Sequence, residues 1–482
     1  MTAPPAAPAT TADPAVLDQV RQMGQTLDVL KGRHAELSRA VGLDQSAAAQ
    51  NGWDVLYGYA IIFLVAFGIT LLATPVMRRL AIANNVIDHP DETRKEHRFP
   101  IAYLGGVAVF LGILGAMAFA FMNPLHGLIA FHKTVYALPD GVPPPVPMSI
   151  ILGMTVVMIV GLLDDIISIS PWQKVGGQLL AAAALAYEDI GVKVAKQVLT
   201  PIGQWIGNAD LKWVLHLPVS LPIFGSEVSF DLIYWTGTAV IAVFVLGACN
   251  ASNLIDGLDG LLSGVTAIAG AGLLCVALVM AAGDNGPLDA TRIILCLALM
   301  GACMGFLPHN FNPASIFLGD AGSLMLGYVT IVIILTLGDQ GQTNLVLAGL
   351  IIYAIPIIDT ALAIVRRKLA GQKISAADNN HLHHILKRKL GVKGAVFTLY
   401  ALGAGFAALG YALTEGRSRV TYILVAVFLS FIGVIALKAA RRQVFEAEAQ
   451  RLRRADKTGP GTPEAPAGPA PAPAAAHTPA KA

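Results

Sequence analysis

The sequence has few charged residues and few cysteines. Only 13% of its 482 residues are Asp, Glu, Lys or Arg, whereas 55% are hydrophobic. The charged fraction is about half that of a typical soluble domain. The four cysteines all lie in apolar runs without a Cys-x-x-Cys pair, which favours small side chains of the core. The composition therefore excludes an ordinary soluble domain and indicates a membrane protein.

The two ends of the chain have little apolar surface. The first residues lack a basic start followed by an apolar core, so we expect no cleavable signal peptide. We predict a disordered tail over residues 1–14 and a cytoplasmic tail over 441–482 that is first basic and then disordered and rich in Ala and Pro. The net charge of +2 indicates no particular partner, and we expect no nucleic acid to bind.

Residues 15–48 carry apolar side chains at alternating spacings of four and three, which is typical of a heptad seam. One interpretation is a short coiled coil that joins two copies of the chain into a homodimer. The other is a single amphipathic helix that lies on lipid or on the rest of the protein, because Gly24 and Gly32 weaken the helix. The sequence leaves both interpretations open.

Apolar runs between residues 52 and 440 have about the length that crosses a bilayer, which is about 20 residues with about 17 possible, and the fourth run is short. We therefore predict an all-α fold: a polytopic membrane helix bundle of about 11 transmembrane helices. A longer outer segment, 190–231, contains alternating apolar residues that predict a small hairpin. The predicted runs lie near 55–77, 102–122, 148–163, 174–189, 232–249, 261–281, 291–307, 322–338, 343–365, 395–413 and 420–437.

Five short polar loops interrupt these runs, and an even number of runs separates any two of the loops. All five therefore emerge at one face of the membrane. A carboxylate at a membrane boundary is costly unless it binds something, so the loops predict a single active site. Basic residues cluster on the same side, after the first, ninth and eleventh runs. This bias predicts that the loops and the C-terminus are cytoplasmic and that the N-terminus lies outside.

Two of the loops carry acids that suit a metal ion. Asp164 and Asp165 are adjacent at the end of an apolar run, where they repel each other and require a cation. Oxygen ligands select a hard ion such as Mg²⁺. Asp320 lies between glycines before a later run and could reach the same ion. The alternatives are a solvated helix end for the pair and a helix N-cap for Asp320.

A third loop, residues 250–260, places amides and carboxylates close together. On a helix, Asn250 and Asn253 share a face that Asp256 extends. Asp259 follows between two glycines, and Asn312 in a fourth loop adds a further amide. These groups could bond a nucleotide base or sugar, or contact a metal through water. The alternative is a polar capping turn.

The last loop contains three histidines next to basic residues. His381, His383 and His384 could form a zinc site, but no cysteine or further histidine nearby completes it. Several N–H donors beside cations suit a diphosphate better. The first loop adds anion-binding groups, although ordinary positive-inside topology would also explain them. They are Arg94, Lys95 and His97.

On these motifs, residues 55–440 resemble the polyprenyl-phosphate N-acetylhexosamine-1-phosphate transferases. The family's aspartate pair is matched at Asp164-Asp165, its Asn-x-x-Asn-x-x-Asp-Gly-x-Asp-Gly motif at 250–260, and its Gly-Asp-x-Gly-Ser segment at 319–323. The histidine loop is similar to that of the branch using UDP-N-acetylglucosamine, not to the three consecutive histidines of the muramoyl-pentapeptide branch. Two positions depart from the pattern: Ser168 replaces a third carboxylate and Tyr103 replaces an arginine.

The resemblance implies transfer of N-acetylhexosamine-1-phosphate, most commonly the N-acetylglucosamine form, from a UDP-sugar to undecaprenyl phosphate. UMP is released, and the product begins an envelope glycan at the inner membrane of a bacterial cell. It further implies Mg²⁺, with Mn²⁺ as an alternative ion, on Asp165 and Asp320. Asp164 would meet the lipid phosphate and the histidine loop the diphosphate. The groups that would hold the nucleotide or support the metal are Asn253, Asp256, Asp259 and Asn312.

Two other functions stay open at this point. A phospho-N-acetylmuramoyl-pentapeptide transferase would use the same chemistry on a larger donor. A secondary transporter would carry acids near the membrane midplane, where Asp359 is the main candidate, although it could instead brace Arg366 or Arg367. Transfer through a phosphoryl-aspartate and direct attack by the lipid phosphate are both compatible with these residues.

Overall fold

A computed structural model describes residues 52–88, 100–123, 127–131, 145–208, 210–221, 225–283, 286–369, 371 and 381–415, with scattered positions between 419 and 449. The chain divides after Asp54 into two units, and the account below concerns the second, from Val55 onward. Both predicted tails and the heptad segment 15–48 lie outside the described residues, apart from scattered positions up to 449. The first-loop residues Arg94, Lys95 and His97 lie outside them too.

Helices dominate the described part of the chain. Seven of them are long and apolar enough to cross a membrane, and a bent pair that meets at 82° would add an eighth crossing. In chain order the helices are α1 (Gly52–Ala83), α2 (Gly105–Phe121), α3 (Met148–Ile167), α4 (Pro171–Tyr187), α5 (Lys196–Trp205), α6 (Leu232–Ile255), α7 (Leu261–Ala282), α8 (Asp289–Asn310), α9 (Gly319–Thr336), α10 (Thr343–Ile352), α11 (Ala354–Leu369) and α12 (Leu382–Thr414).

The prediction of an all-α polytopic membrane protein is confirmed. Ten of the predicted runs coincide with α1–α4, α6–α9, the bent pair α10–α11, and α12. Both α2 and α4 are 17 residues long, at the lower limit for a crossing. The eleventh run, 420–437, falls on residues that are only partly described. A total of about 11 crossings therefore stays a prediction.

Helix α9 is the centre of the bundle. Every residue from Ala321 to Thr336 is buried, and the helix packs most extensively against α3 and α6. A helix that is apolar on all sides belongs in the interior, where its neighbours satisfy each face. The first turn of α9, which carries Asp320, is consequently held in place by the surrounding helices.

Two short sheets connect the helices. Strands β1 (Ile87–Asp88) and β2 (Ile101–Ala102) pair antiparallel, and the carbonyl of Ala102 accepts a hydrogen bond from the Phe317 N–H, 2.8 Å away. This contact ties the base of the first polar loop to the segment that precedes α9. Strands β3 (Lys212–Leu221) and β4 (Gly225–Asp231) form the hairpin expected within the outer segment.

A buried ionic cluster lies where α8 begins, at the opposite end of this helix from Asn310. Arg292, in the first turns of α8, is fully buried and donates from Nη1 to Asp289. Its Nη2 lies 3.0 Å from Asp339 Oδ1, and its Nε donates to the Thr336 carbonyl, 3.1 Å away. This arginine therefore joins the start of α8 to the end of α9.

We predict that Arg292→Met lowers the free energy of unfolding by about 3–5 kcal/mol, because it leaves two buried carboxylates without their cation. The measurement is thermal unfolding of the detergent-solubilised protein. The matched control is the triple variant Arg292→Met/Asp289→Asn/Asp339→Asn, which should recover part of the loss since no buried charge is left unpaired. Equal melting temperatures for the two variants would contradict the prediction.

Candidate active site

The motif residues meet at one end of the bundle. They lie at the ends of α3, α6 and α8 and at the beginnings of α7, α9 and α12, which alternate in direction through the bundle. Together they border a cavity of roughly 700 Å³. The predicted site residues on its wall are Asn253, Asp256, Asp259, Asn312, Asp320 and His384.

Asp165 caps the buried helix α9 from a neighbouring helix. Its Oδ1 accepts a hydrogen bond from the Asp320 N–H at 2.8 Å, and its Oδ2 accepts one from the Ala321 N–H at 3.0 Å. The first N–H groups of a helix have no partner within the helix, so this carboxylate satisfies two of them. Gly319 has a φ of +72°, and a Cβ on it would lie 2.5 Å from Asp165 Oδ2. Only glycine fits there.

Lys174 bridges two of the acids. Its Nζ lies 2.6 Å from an oxygen of Asp164 and 2.6 Å from Oδ2 of Asp320. The other oxygen of Asp320 accepts a hydrogen bond from Asn253 Nδ2 at 2.7 Å. The carboxylates thus already hold one cation between them, as expected for acids that would otherwise repel each other.

The sequence analysis missed Lys174 because it lay at the edge of a predicted apolar run. A local signal was present: Ser170, Pro171 and Gln173 form a helix start, and the Ser170 N–H donates to Gln173 Oε1 at 2.8 Å. That start places Lys174 in the first turn of α4, facing back toward the aspartate pair. Large apolar side chains beside the pair are exposed, namely Ile166, Ile167 and Trp172.

Asp259 organises the loop that precedes α9. Its Oδ2 accepts hydrogen bonds from Asn312 Nδ2 at 2.9 Å and from the Ala314 N–H at 3.0 Å. Nearby, the buried Asn310 accepts from the Gly260 N–H at 3.1 Å and donates to the Ile316 carbonyl at 3.1 Å. The amide of Asn312 therefore serves a carboxylate of the protein, and these bonds fix the two loops against each other.

Asp256 ends α6 and faces the other acids of the site. Burial, with a smaller contribution from Asp320, raises the pKa of Asp256 from 3.8 to about 8. Its carboxyl group consequently retains a proton at neutral pH. A bound cation or a change in solvation would release that proton.

Aromatic residues form another part of the wall. Tyr103, which replaces the arginine of the family pattern, lines the cavity with Phe317, and their ring centroids are 6.1 Å apart. The phenol interacts with Asp88, and burial followed by this carboxylate raises the pKa of Tyr103 above its ordinary value. Tyr103 therefore stays neutral at physiological pH and offers the site a planar, uncharged surface.

The three histidines occupy different positions. His384 and Lys387 line the cavity, whereas His381 and His383 are buried. Asp359 Oδ2 lies 3.0 Å from Nδ1 of His383 and 3.3 Å from Nδ1 of His381. Asp359, His381 and His383 could together hold a metal ion, since their ligand atoms lie within 4.8 Å of one another. The shorter of these distances also fits a hydrogen bond from the His383 imidazole N–H to the Asp359 carboxylate.

Not every predicted residue reaches the cavity. The amide of Asn250 donates to Gln178 Oε1 at 3.0 Å and to the Leu246 carbonyl at 2.7 Å, so its donors serve α4 and its own helix. Its role in substrate binding stays a prediction that its position does not support. For Asp359 the sequence analysis offered ion translocation or the bracing of Arg366 or Arg367, and it did not predict the contact with the histidine loop. Arg78, at the end of α1, is a cation of the wall that the sequence analysis assigned only to topology.

Comparison with known proteins gives consistent matches. The family described as Glycosyl transferase family 4 matches residues 147–338. A "Probable undecaprenyl-phosphate N-acetylglucosaminyl 1-phosphate transferase" of Bacillus subtilis is 28% identical over 78% of this chain and 90% of its own length. The decaprenyl-phosphate N-acetylglucosaminephosphotransferase of Mycolicibacterium smegmatis is 32% identical over 78% of this chain and 88% of its own. A phospho-N-acetylmuramoyl-pentapeptide-transferase of Geobacillus thermodenitrificans is 27% identical over 74% of this chain and 96% of its own length.

The position of Asp256 predicts a pH-dependent stability. Between about pH 4 and pH 8 the folded protein keeps a proton on this carboxyl that the unfolded chain has released. Stability therefore falls as pH rises through this window. We expect Asp256→Asn to flatten this dependence when melting temperature is measured against pH in the presence of EDTA. Asp189→Asn, at the far end of α4, is the control, and an unchanged slope in Asp256→Asn would contradict the prediction.

Proposed function

Since this chain belongs to the polyprenyl-phosphate N-acetylhexosamine-1-phosphate transferases of glycosyl transferase family 4, we propose that it transfers N-acetylglucosamine-1-phosphate from a UDP-sugar to undecaprenyl phosphate. UMP is the second product, and the lipid-linked sugar begins a cell-envelope glycan. The observation that carries the proposal is the group of Asp164, Lys174 and Asp320 beside a polar cavity at one end of a membrane bundle. Such a group can bring a lipid phosphate and a nucleotide diphosphate together.

The donor set of the site fits Mg²⁺. Asp165 and Asp320 offer oxygens only, and the Lys174 ammonium lies 2.6 Å from both Asp164 and Asp320, which supports a preference for a cation next to these acids. Mg²⁺ prefers one or two carboxylates together with substrate phosphates and water. When bound, it would neutralise charge on the transferred phosphoryl group. We assign it to Asp165 and Asp320, with Asn253 supporting Asp320.

The remaining groups fit the two substrates. Lys174 and Asp164 lie beside the exposed apolar residues Ile167 and Trp172, where a lipid phosphate can arrive from the bilayer. His384, Lys387 and Arg78 are donors suited to the diphosphate. The uracil ring can stack on the aromatic wall of Phe317 and Tyr103. Asp259 and Asn312 hold the loop on which this wall depends.

The reaction needs little covalent help from the protein. An oxygen of the lipid phosphate attacks the phosphorus that carries the sugar, the bond from that phosphorus to the bridging oxygen breaks, and this oxygen leaves with UMP. The second pKa of a phosphate monoester is about 6, so the acceptor is already largely a dianion at neutral pH. Asp164 consequently orients Lys174 and the acceptor instead of acting as a strong base. Fixed cations and N–H donors lower the electrostatic barrier.

We place the site at the cytoplasmic surface. Basic residues gather at this end of the bundle, with Arg78 and Arg79 near the end of α1 and a basic run at the end of α11. Lys and Arg are enriched in cytoplasmic loops. A UDP-sugar from the cytoplasm and a lipid phosphate from the inner leaflet can then meet at one surface. The N-terminus of α1 would face outside.

The central test is an activity assay with purified protein, undecaprenyl phosphate and a panel of UDP-sugars. We expect UMP release with UDP-N-acetylglucosamine, loss of that release with EDTA, and recovery with Mg²⁺ or Mn²⁺. Asp165→Asn is expected to be inactive. Release only with UDP-N-acetylmuramoyl-pentapeptide would assign the muramoyl branch instead. Solute uptake in proteoliposomes without any UMP release would overturn the enzymatic assignment.

Lys174 gives a second test. Lys174→Gln removes the cation that the two carboxylates share, so we expect the KM for undecaprenyl phosphate to rise and kcat to fall by at least about ten-fold. Lys174→Arg keeps the charge and should retain more activity, although a guanidinium does not reproduce a point charge. Lys193→Gln is the control, because this exposed lysine lies in the segment that follows the other end of α4. Unchanged kinetics in Lys174→Gln would remove this residue from the site.

A further inference from the structure

One buried carboxylate attaches the start of α12 to α11. Asp359 is 1% exposed, and its Oδ1 accepts a hydrogen bond from the Leu382 N–H at 2.8 Å. Its Oδ2 accepts from His383 Nδ1 at 3.0 Å and lies 3.3 Å from His381 Nδ1. Both oxygens of Asp359 are therefore used by the histidine loop, and none of its partners is a wall residue of the cavity.

These contacts determine which nitrogen of His383 carries a proton. An ionised carboxylate only accepts hydrogen bonds, so Nδ1 of His383 has to be the protonated nitrogen. The other nitrogen, Nε2, then faces Gly257: a Cβ on Gly257 would lie 2.6 Å from it. Gly257 belongs to the turn between α6 and α7 that carries Asp256 and Asp259. The ring of His383 thus packs directly against that turn.

His383 also lies next to a residue of the cavity wall. The ring centroids of His383 and His384 are 4.2 Å apart, and those of His381 and His383 are 5.4 Å apart. Since His383 is only 1% exposed, it does not reach a substrate itself. It instead touches two parts of the cavity wall, the 256–259 turn and His384, and Asp359 fixes it between them.

We propose that Asp359 is a positioning residue for the transfer reaction. Through the Nδ1–H tautomer of His383, it holds the turn with Asp256 and Asp259 on one side of the cavity and His384 on the other. The inference deepens the proposed function and rests on it. It gives Asp359 a role in the geometry of the part of the cavity assigned to the UDP-sugar, in place of ion translocation or the bracing of nearby arginines.

Asp359→Asn separates this role from simple packing. Asparagine has nearly the same shape, and its carbonyl oxygen can still accept from the Leu382 N–H. Its NH₂ group, however, faces His383 Nδ1 as a donor, so the ring has to move its proton to Nε2 and point an N–H at Gly257. In the Ser-His-Asp triad, the corresponding substitution keeps the geometry but leaves the wrong tautomer, at a cost of about 10⁴ in kcat.

The experiment compares Asp359→Asn, Asp359→Glu and the control Asp231→Asn in the UMP-release assay. Asp231 caps α6 by accepting from the Tyr234 N–H, and asparagine caps a helix equally well. We expect Asp359→Asn to lower kcat by at least about ten-fold and to raise the KM for the UDP-sugar, with the KM for undecaprenyl phosphate unchanged. Asp359→Glu, which keeps a carboxylate, should restore part of kcat. The melting temperature of Asp359→Asn should stay near that of the wild type.

A double-mutant cycle tests the route through His383. If Asp359 acts through this ring, His383→Gln and Asp359→Asn will each lower kcat, and the double variant will lose little more than the worse single variant. Additive losses would overturn the proposal, as would wild-type kinetics in Asp359→Asn. A purely structural role would lower kcat in parallel with the melting temperature and change both KM values equally. That result would overturn the proposal as well.

Two further measurements keep the outcomes distinct. If the wild-type protein releases no UMP from any UDP-sugar, the proposed function fails, whereas normal wild-type activity with an unaffected Asp359→Asn variant rejects only the positioning role. Elemental analysis addresses a metal at the same cluster. Stoichiometric zinc in the wild type that is absent from Asp359→Asn would make Asp359 a ligand and overturn the tautomer argument.

Discussion

The whole site depends on the contact between Asp165 and the first turn of α9. A helix that is buried along its length cannot expose its first N–H groups to water, so another part of the protein has to satisfy them. Asp165 does this from α3 with two hydrogen bonds. The same bonds orient Asp320 toward Lys174 and Asn253. One carboxylate thereby links the stability of the core to the geometry of the acids.

The charges of the site are balanced in a way that suits anionic substrates. Several carboxylates gather where burial makes their ionised forms costly, as the raised pKa of Asp256 shows. Lys174 compensates part of that charge, and Arg78, Lys387 and His384 add donors around the cavity. An acidic cluster alone would repel phosphates. The cations around it offset that repulsion, as the proposed binding of phosphate groups at this end of the bundle requires.

Local sequence patterns account for the helices and for the convergence of the loops. Apolar run lengths predicted eleven crossings, ten of which coincide with described helices, and the even number of runs between the loops placed Asp256, Asp320 and His384 at one end of the bundle. The partners of those residues were harder to predict, because they depend on packing between distant parts of the chain. Lys174 and Asp164 meet across the turn between α3 and α4, and Asp359 on α11 meets His383 at the start of α12. Asn250 has the right residue type, but its helix directs it toward α4.

The exposed side chains next to the aspartate pair have a consequence for how the protein meets its acceptor. An exposed apolar surface lies beside Lys174 and is formed by Ile166, Ile167 and Trp172. A polyprenyl tail can pack on that surface while its head group reaches the lysine. The acceptor then never has to leave the bilayer. Encounters then occur by diffusion in two dimensions. The reaction rate then depends on the mole fraction of the acceptor among the lipids. Adding inert phospholipid while the amount of acceptor is kept constant would therefore slow the enzyme by surface dilution.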